Sequence, residues 1–303
     1  MRNKGYIYFD QVDATYAGST ALSYYLRRHT HSGVAAWRAN FRAGRVRRGD
    51  EVLTEDSVLR AGDTLAYHRP PWDEGEVPGD IPLLAEGEGW MVFAKPSGLP
   101  VLPGGGFLEN TLLHILRGRY GDALAPVHRL GRGTSGAILC STHTAAARAL
   151  SRAMRERRVE KTYLALVQGL PREDAFTVNV PIGKVSHPTL TGVYAAVPVG
   201  KPSVSHCRVL RRDAERDESI VEVRIPTGRP HQIRIHCAAA GYPLAGDPLY
   251  GPGGRPFAAP DGSVAVPGDG GYTLHSWTIS FPDPVDTDER TVTAPPPVRL
   301  RHT

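Results

Sequence analysis

Covalent staples and membrane anchors are scarce in this chain. Only three cysteines, Cys140, Cys207 and Cys237, occur in 303 residues. An odd number at such irregular spacing makes neither a disulfide framework nor a thiolate metal site, so a reducing, cytoplasmic compartment is expected and each thiol reads as a small core side chain. No uninterrupted apolar run reaches the ~18 residues that a bilayer requires, and the opening Met1-Arg2-Asn3-Lys4-Gly5-Tyr6 has no apolar leader. No membrane partner is expected, and no internal repeat is found. What is present is a globular composition: 41% hydrophobic residues in a length that holds one large and one small domain. A formal charge of +5 fits a polyanionic partner as well as a merely basic soluble protein.

Between residues 20 and 69, Leu22, Tyr25 and Leu26 recur at helical spacing, and Ala36 and Phe41 continue an apolar stripe in a second helical patch. Gly44 and Gly49 then bracket a short strand, and residues 59–65 read as turn and strand. Arg27, Arg28, Arg38, Arg42, Arg45, Arg47 and Arg48 are candidate phosphate contacts, because guanidinium forks match phosphate oxygens. A solvated basic face is the alternative. From 70 to 82 the composition changes to Pro, Gly, Asp and Glu, which predicts a linker; its acids Asp73, Glu74, Glu76 and Asp80 would keep it off a polyanion. The expected organisation is a small domain over 1–69, the linker over 70–82, and a large domain over 83–303.

In the large domain, residues 90–94 and 137–140 read as buried strands. The clearest helix runs over 143–157, with Ala147, Leu150 and Met154 on one face and Arg148, Arg152 and Arg155 as polar cover. Strands are expected near 162–167, 176–180, 204–210 and 220–225. Their connections are too short for regular parallel crossovers. The fold class is therefore α+β, a mixed but mainly antiparallel sheet with flanking helices, and 251–271 reads as a long surface loop.

Chemistry concentrates in four segments: Lys95-Pro96-Ser97-Gly98-Leu99-Pro100-Val101; His128-Arg129-Leu130-Gly131-Arg132-Gly133-Thr134-Ser135-Gly136; Glu160-Lys161-Thr162-Tyr163-Leu164; and Thr227-Gly228-Arg229-Pro230-His231-Gln232-Ile233-Arg234-Ile235-His236, followed by Gly246-Asp247-Pro248-Leu249-Tyr250-Gly251. Alone, the first would mean only a turn. In this order they resemble the RluA-type RNA pseudouridine synthases, and Leu274-His275-Ser276 resembles that domain's closing strand. The resemblance implies isomerisation of uridine in tRNA or rRNA without metal or organic cofactor, and a monomer is expected. It also implies that the segment over 1–69 is similar to the small α+β alpha-L RNA-binding domain, with Arg45, Arg47 and Arg48 facing RNA.

By the same resemblance Tyr163 is the active-site aromatic, Arg234 the partner of a catalytic aspartate, and Arg129 a residue beside the vacated base site. His128 orders the loop, while Arg132, Lys161, Arg229, His231 and Gln232 are candidate substrate or RNA contacts. The family's aspartate position is Gly131 here. Glycine has nothing with which to attack the sugar or remove a proton, and a buried Arg234 without a counter-charge is costly unless water, an anion, Glu160 or Asp247 reaches it. Gly131 and Gly133 suggest close backbone approach to RNA, a positive φ, or a more flexible loop. Three readings stay open: a synthase with an atypical site, an RNA-binding pseudoenzyme, and an enzyme of another nucleotide or nucleoside reaction.

Overall fold

The computed structural model describes residues 2–29, 32–187, 190, 192–257 and 265–302. It separates into two compact units, Met1–Glu74 with Ser186–Gly192, and Gly75–Val185 with Val193–Thr303.

The N-terminal unit contains β1 (Tyr6–Gln11), α1 (Ala21–Arg28), α2 (Val34–Arg42), β2 (Val46–Arg48), β3 (Glu51–Val52) and β4 (Thr64–Arg69). Its strands form an antiparallel sheet in the order β1-β4-β2-β3. Thr20 caps α1 by accepting from the Ser23 N–H, and Arg27 and Arg28 face the negative end of that helix. The core gathers Tyr24, Tyr25, Trp37 and Phe41 against Val46, Leu53 and Leu65. The stripe of α2 is thus one residue away from expectation: Trp37 and Phe41 are buried and Ala36 is exposed, since the indole brings far more apolar area to the core than a methyl group. Arg48 is committed to Glu51 and Asp63 (2.9 and 2.7 Å), Arg38 to Glu55, Arg28 to Asp10, and Arg45 to the Asn40 side chain. Among the described residues, Arg27, Arg42 and Arg47 have no carboxylate partner. Asn3 holds both Trp72 and Glu74, the latter buried, so the first part of the Pro-rich stretch is tied into this unit.

The second unit runs β5 (Leu83–Gly87), β6 (Trp90–Lys95), α3 (Leu112–Tyr120), β7 (Ala125–Pro126), β8 (Ser135–Ser141), α4 (Thr144–Arg155), β9 (Glu160–Gln168), β10 (Ala175–Asn179), β11 (Ile182–Val185) and β12 (Val193–Ala196). There follow β13 (Val204–Asp213), β14 (Glu218–Arg224), α5 (Gln232–Ala239), β15 (Tyr250–Gly251), β16 (Arg255–Pro256), β17 (Leu274–Pro282) and β18 (Glu289–Thr293). The main sheet has the order β10-β13-β14-β9-β17-β8-β6-β5, with β18 beside β17 and β7 beside β8. Every pairing in it is antiparallel except β17 with β8. The α+β, mainly antiparallel architecture read from the short connections is the one observed.

Strand alternation sorts the side chains onto two faces. Phe93, Ile138, Cys140, Tyr163 and Ala165 pack with Leu112 and Leu116 of α3 and with Ile233 and Cys237 of α5. Val92, Ala137, Leu139 and Ile279 pack on the other face with Leu150 and Ala153 of α4. The buried residues of α4 are Ala146, Leu150 and Ala153, whereas Ala147 and Met154 are half-buried; helical phase is set by the sheet it covers. The loop expected over 251–271 includes the β15–β16 hairpin, and its 258–264 portion lies outside the described residues. Its later part is not all surface, because the Pro267 carbonyl accepts from the buried Arg234.

Candidate active site

The sheet's one parallel pairing explains how the motifs meet. β8 and β17 start side by side, with His275 opposite Ser135 and Ser276 opposite Gly136. The residues just before them, 128–134 and 272–273, must therefore lie against one another. β9 pairs with the other edge of β17 and puts Tyr163 opposite Ser276. Arg129, Leu130, Gly131, Thr134, Tyr163, Arg229, His231, Arg234 and Tyr272 line a cleft of about 100 Å³ on the α3/α5 face.

The first motif grips the second. Lys95 is buried, and its Nζ donates to the carbonyls of Pro96, Leu99 and Arg132 at 2.8, 2.7 and 3.2 Å. Burial pushes this amine down to about 7, but three acceptors need three N–H donors, which only the ammonium form supplies. Ser97 adds a hydrogen bond to the Gly133 carbonyl at 2.7 Å, and the Gly98 N–H donates to Arg132 at 2.8 Å. A segment that would mean only a turn in isolation holds the neighbouring loop by its backbone.

Arg234 is not left without a counter-charge. Its Nε and Nη2 reach the two carboxylate oxygens of Asp247 at 2.6 and 2.7 Å, and both side chains are buried. Burial is the largest single influence and works against the charge, but the hydrogen bond to Asp247, together with the electrostatic attraction of Tyr272, Asp247 and Tyr250, outweighs it and leaves the guanidinium above its usual range. Glu160 instead pairs with the exposed Arg224. Asp247 also accepts from the N–H groups of Leu249 and Tyr250 at 2.9 and 3.1 Å. Asp247 does not line the cleft, so it positions Arg234 from behind and is not itself presented to a ligand there. Among the described residues that line the cleft, none carries a carboxylate.

Two histidines stay neutral. His128 Nε2 accepts the Leu139 N–H at 3.1 Å, which fixes the loop to β8 and leaves the ring proton on Nδ1. Burial, reinforced by Lys161, takes His128 down to about 3, and burial also lowers Lys161 itself. His231 precedes α5 in the left-handed region, φ 56°, and its Nδ1 lies 2.8 Å from the Tyr250 hydroxyl. That hydroxyl gives its only proton to the Tyr194 carbonyl, so His231 Nδ1 must be the donor and Nε2 an unprotonated acceptor. Burial, then Arg234, lowers His231 to about 4.

Both histidines have folded values below the ~6.5 of the unfolded chain. As pH falls from about 6.5 towards 4 the unfolded chain takes up protons that the native state refuses, and stability is lost at about 1.4 kcal/mol per pH unit for each ring. The urea midpoint is expected to fall across this window. His128→Gln, whose amide oxygen still accepts the Leu139 N–H, should make that fall shallower; an unchanged slope would show that His128 is not responsible.

The other expected contacts divide. Tyr163 is buried at the cleft wall, and burial pushes its phenol up to about 12, so it is a proton-bearing aromatic face at neutral pH. Arg129 is exposed at the cleft rim, and Arg229 lines the cleft with its guanidinium near the Pro202 carbonyl. The Arg132 guanidinium sits 5.4 Å over the Phe107 ring. Gln232 is used up internally: its oxygen accepts from Thr227 and Arg229, and its nitrogen donates to Val204 and Ser205. Lys161 is next to His128 and is not among the cleft-lining residues.

Neither Gly131 nor Gly133 has a positive φ. Their reason is close approach, by Tyr272. A methyl group on Gly131 would lie 3.1 Å from the Tyr272 hydroxyl, and one on Gly133 would lie 2.9–3.1 Å from three atoms of the same phenol. The Tyr272 ring in turn lies 4.2 Å beneath the Arg234 guanidinium. Tyr272 had no sequence signal of its own. It follows a Gly/Pro-rich loop, and only the register of β17 against β8 brings it to position 131.

Residues 89–239 match the family model for RNA pseudouridylate synthases. An uncharacterised RNA pseudouridine synthase of Synechocystis is 44% identical over 261 residues, 86% of this chain and 88% of that protein. The chain belongs to the RNA pseudouridylate synthase family. RNA pseudouridine synthase 5 of Arabidopsis thaliana is 36% identical over 334 residues, covering 94% of this chain and 90% of its own. The solved human RNA pseudouridylate synthase domain containing 1 superposes with a TM-score of 0.59 at 28% identity, over 76% of this chain and 89% of that one. Among the described residues no helix is long and apolar enough to cross a membrane, and no group of three or more metal-ligating side chains occurs.

Proposed function

We propose that the chain is an RluA-type synthase that converts uridine to pseudouridine in tRNA or rRNA, as a cytoplasmic monomer without a cofactor. The observation that carries this reading is the convergence of Arg129, Tyr163 and Arg234, from three separated motifs, on one cleft of a chain in this family. Tyr163 offers a face to an extracted uracil, Arg234 a fixed cation held by Asp247, and Arg129 a charge at the rim for the phosphates beside a flipped nucleotide. The alpha-L-like segment, with Arg45, Arg47 and Arg48, supplies a further RNA contact; Arg47 is the most exposed of the three. Free, buried cysteines agree with a reducing compartment.

A second reading, an RNA-binding protein without chemistry, is favoured by the lack of a carboxylate among the described residues that line the cleft. RNA tritiated at carbon 5 of uridine separates the two. The proposed enzyme releases tritium to water as the new carbon–carbon bond forms, and salt-sensitive RNA binding with no release from any cellular RNA pool would leave only the binding protein.

A further inference from the structure

The place where residue 131 would carry a reactive side chain is occupied. The Tyr272 hydroxyl lies 3.1 Å from where a Cβ on Gly131 would stand and 3.5 Å from Thr134 Oγ1. Among the described residues, the other side-chain oxygen near that point is Thr134 Oγ1 at 3.3 Å, an aliphatic hydroxyl and so a far poorer leaving group than a phenol; Asp247 does not line the cleft, and the amide oxygen of Gln232 is engaged by Thr227 and Arg229. The phenol is held at both ends, with Arg234 4.2 Å from the ring centroid and the hydroxyl end against Gly131 and Gly133 of the loop. A cation over the ring, itself fixed by two bonds to Asp247, favours negative charge developing on the phenol oxygen.

We propose that Tyr272 is the catalytic nucleophile of this site, its phenol oxygen doing the work of the carboxylate that Gly131 cannot provide. This rests on the reading of the chain as a pseudouridine synthase. Tyrosine is an accepted covalent catalyst and serves as the nucleophile at an anomeric carbon in some glycosidases. The Tyr272 oxygen donates an electron pair to carbon 1′ of the ribose as the bond from that carbon to uracil N1 breaks. The bonding pair leaves on the uracil, which takes the phenolic proton at N1. After the uracil turns in the cleft, its carbon 5 attacks carbon 1′, and the sugar–oxygen bond breaks with its electrons returning to Tyr272. The proton lost from carbon 5 restores the hydroxyl. N1 has gained one proton and carbon 5 has lost one, which is the whole difference between uridine and pseudouridine, so no co-reactant is required.

The test compares the unaltered chain with Tyr272→Phe and with the double variant Gly131→Asp/Tyr272→Phe. Tritium release, RNA affinity and Tm are read for each. Tyr272→Phe keeps the ring under Arg234 and removes only the oxygen, so release is expected to fall by about 10³-fold or more with affinity and Tm little changed. The double variant restores an oxygen beside the sugar and relieves the 3.1 Å contact, and should regain part of the activity. If the unaltered chain releases tritium and Tyr272→Phe stays within about threefold of it, the nucleophile is another group and the proposal falls while the synthase reading stands. If the unaltered chain itself releases none, both fall.

Should Tyr272→Phe fail to fold, the unaltered chain is incubated with RNA carrying fluorine at carbon 5 of uridine, which has no proton to lose there. A covalent adduct on the peptide containing Tyr272 supports the proposal. An adduct elsewhere, or none, overturns it.

Discussion

Asp247→Asn is expected to lower the stability of the fold by about 3–5 kcal/mol, the range for breaking a buried ion pair by removing one partner. The carboxylate is buried and accepts four hydrogen bonds, two from Arg234 and one each from the N–H groups of Leu249 and Tyr250. An amide of the same shape sets its NH₂ against either a guanidinium or a backbone donor, and it leaves the buried Arg234 charge uncompensated. Urea unfolding checks the magnitude. The double variant Arg234→Met/Asp247→Leu removes both charges and should recover most of the stability, because an apolar pair of similar volume is tolerated where half an ion pair is not. It should not recover tritium release, since the cation over Tyr272 is gone. Stability and catalysis part company in that comparison, which a purely structural Arg234 would not allow.

Gly136→Ala is expected to be at least as damaging, by about 4 kcal/mol or more, for a reason confined to the backbone. Gly136 has a φ of +106°, and a methyl group there would lie 2.2 Å from the Ser276 carbonyl oxygen and 2.7 Å from its nitrogen. Those atoms belong to a central strand and cannot move without parting β17 from β8. Gly131→Ala is the control. Its φ is ordinary, and its new methyl group meets only the tips of the Tyr272 and Thr134 side chains at 3.1 and 3.3 Å, so a loss below about 1 kcal/mol is expected. Thermal unfolding of the two variants side by side measures the contrast; equal losses would mean that the β8–β17 contact is not the determinant.

Local patterns in the sequence were enough to find most strands and the α4 helix, because alternation and helical spacing are properties of short segments. Tyr163 and Arg234 were legible for another reason: their neighbours along the chain form recognisable motifs. Partnerships across the chain were not legible. Asp247 could be named as a candidate partner for Arg234, but nothing short of the fold chose it over Glu160, which turns out to face Arg224. The glycines at 131 and 133 were visible, yet their cause was not. Flexibility and approach to RNA are local explanations, and the actual one is an aromatic ring some 140 positions later, delivered by a parallel strand pairing that leaves no periodic trace. Trp37 shows the same limit on a small scale, since either Ala36 or Trp37 satisfies a helical stripe and only the core's demand for volume decides.

The contact between Tyr272 and the two glycines ties the substitutions that three positions can accept to one another. Gly133 admits no side chain while the ring lies across it, and at Gly131 a larger residue crowds the hydroxyl. An acid introduced at 131 by a single change would therefore sit against the Tyr272 hydroxyl. Shrinking Tyr272 first empties the space but, on the assignment made above, silences the site in the interval. The three residues form one steric unit, in which the order of substitutions matters as much as their identity.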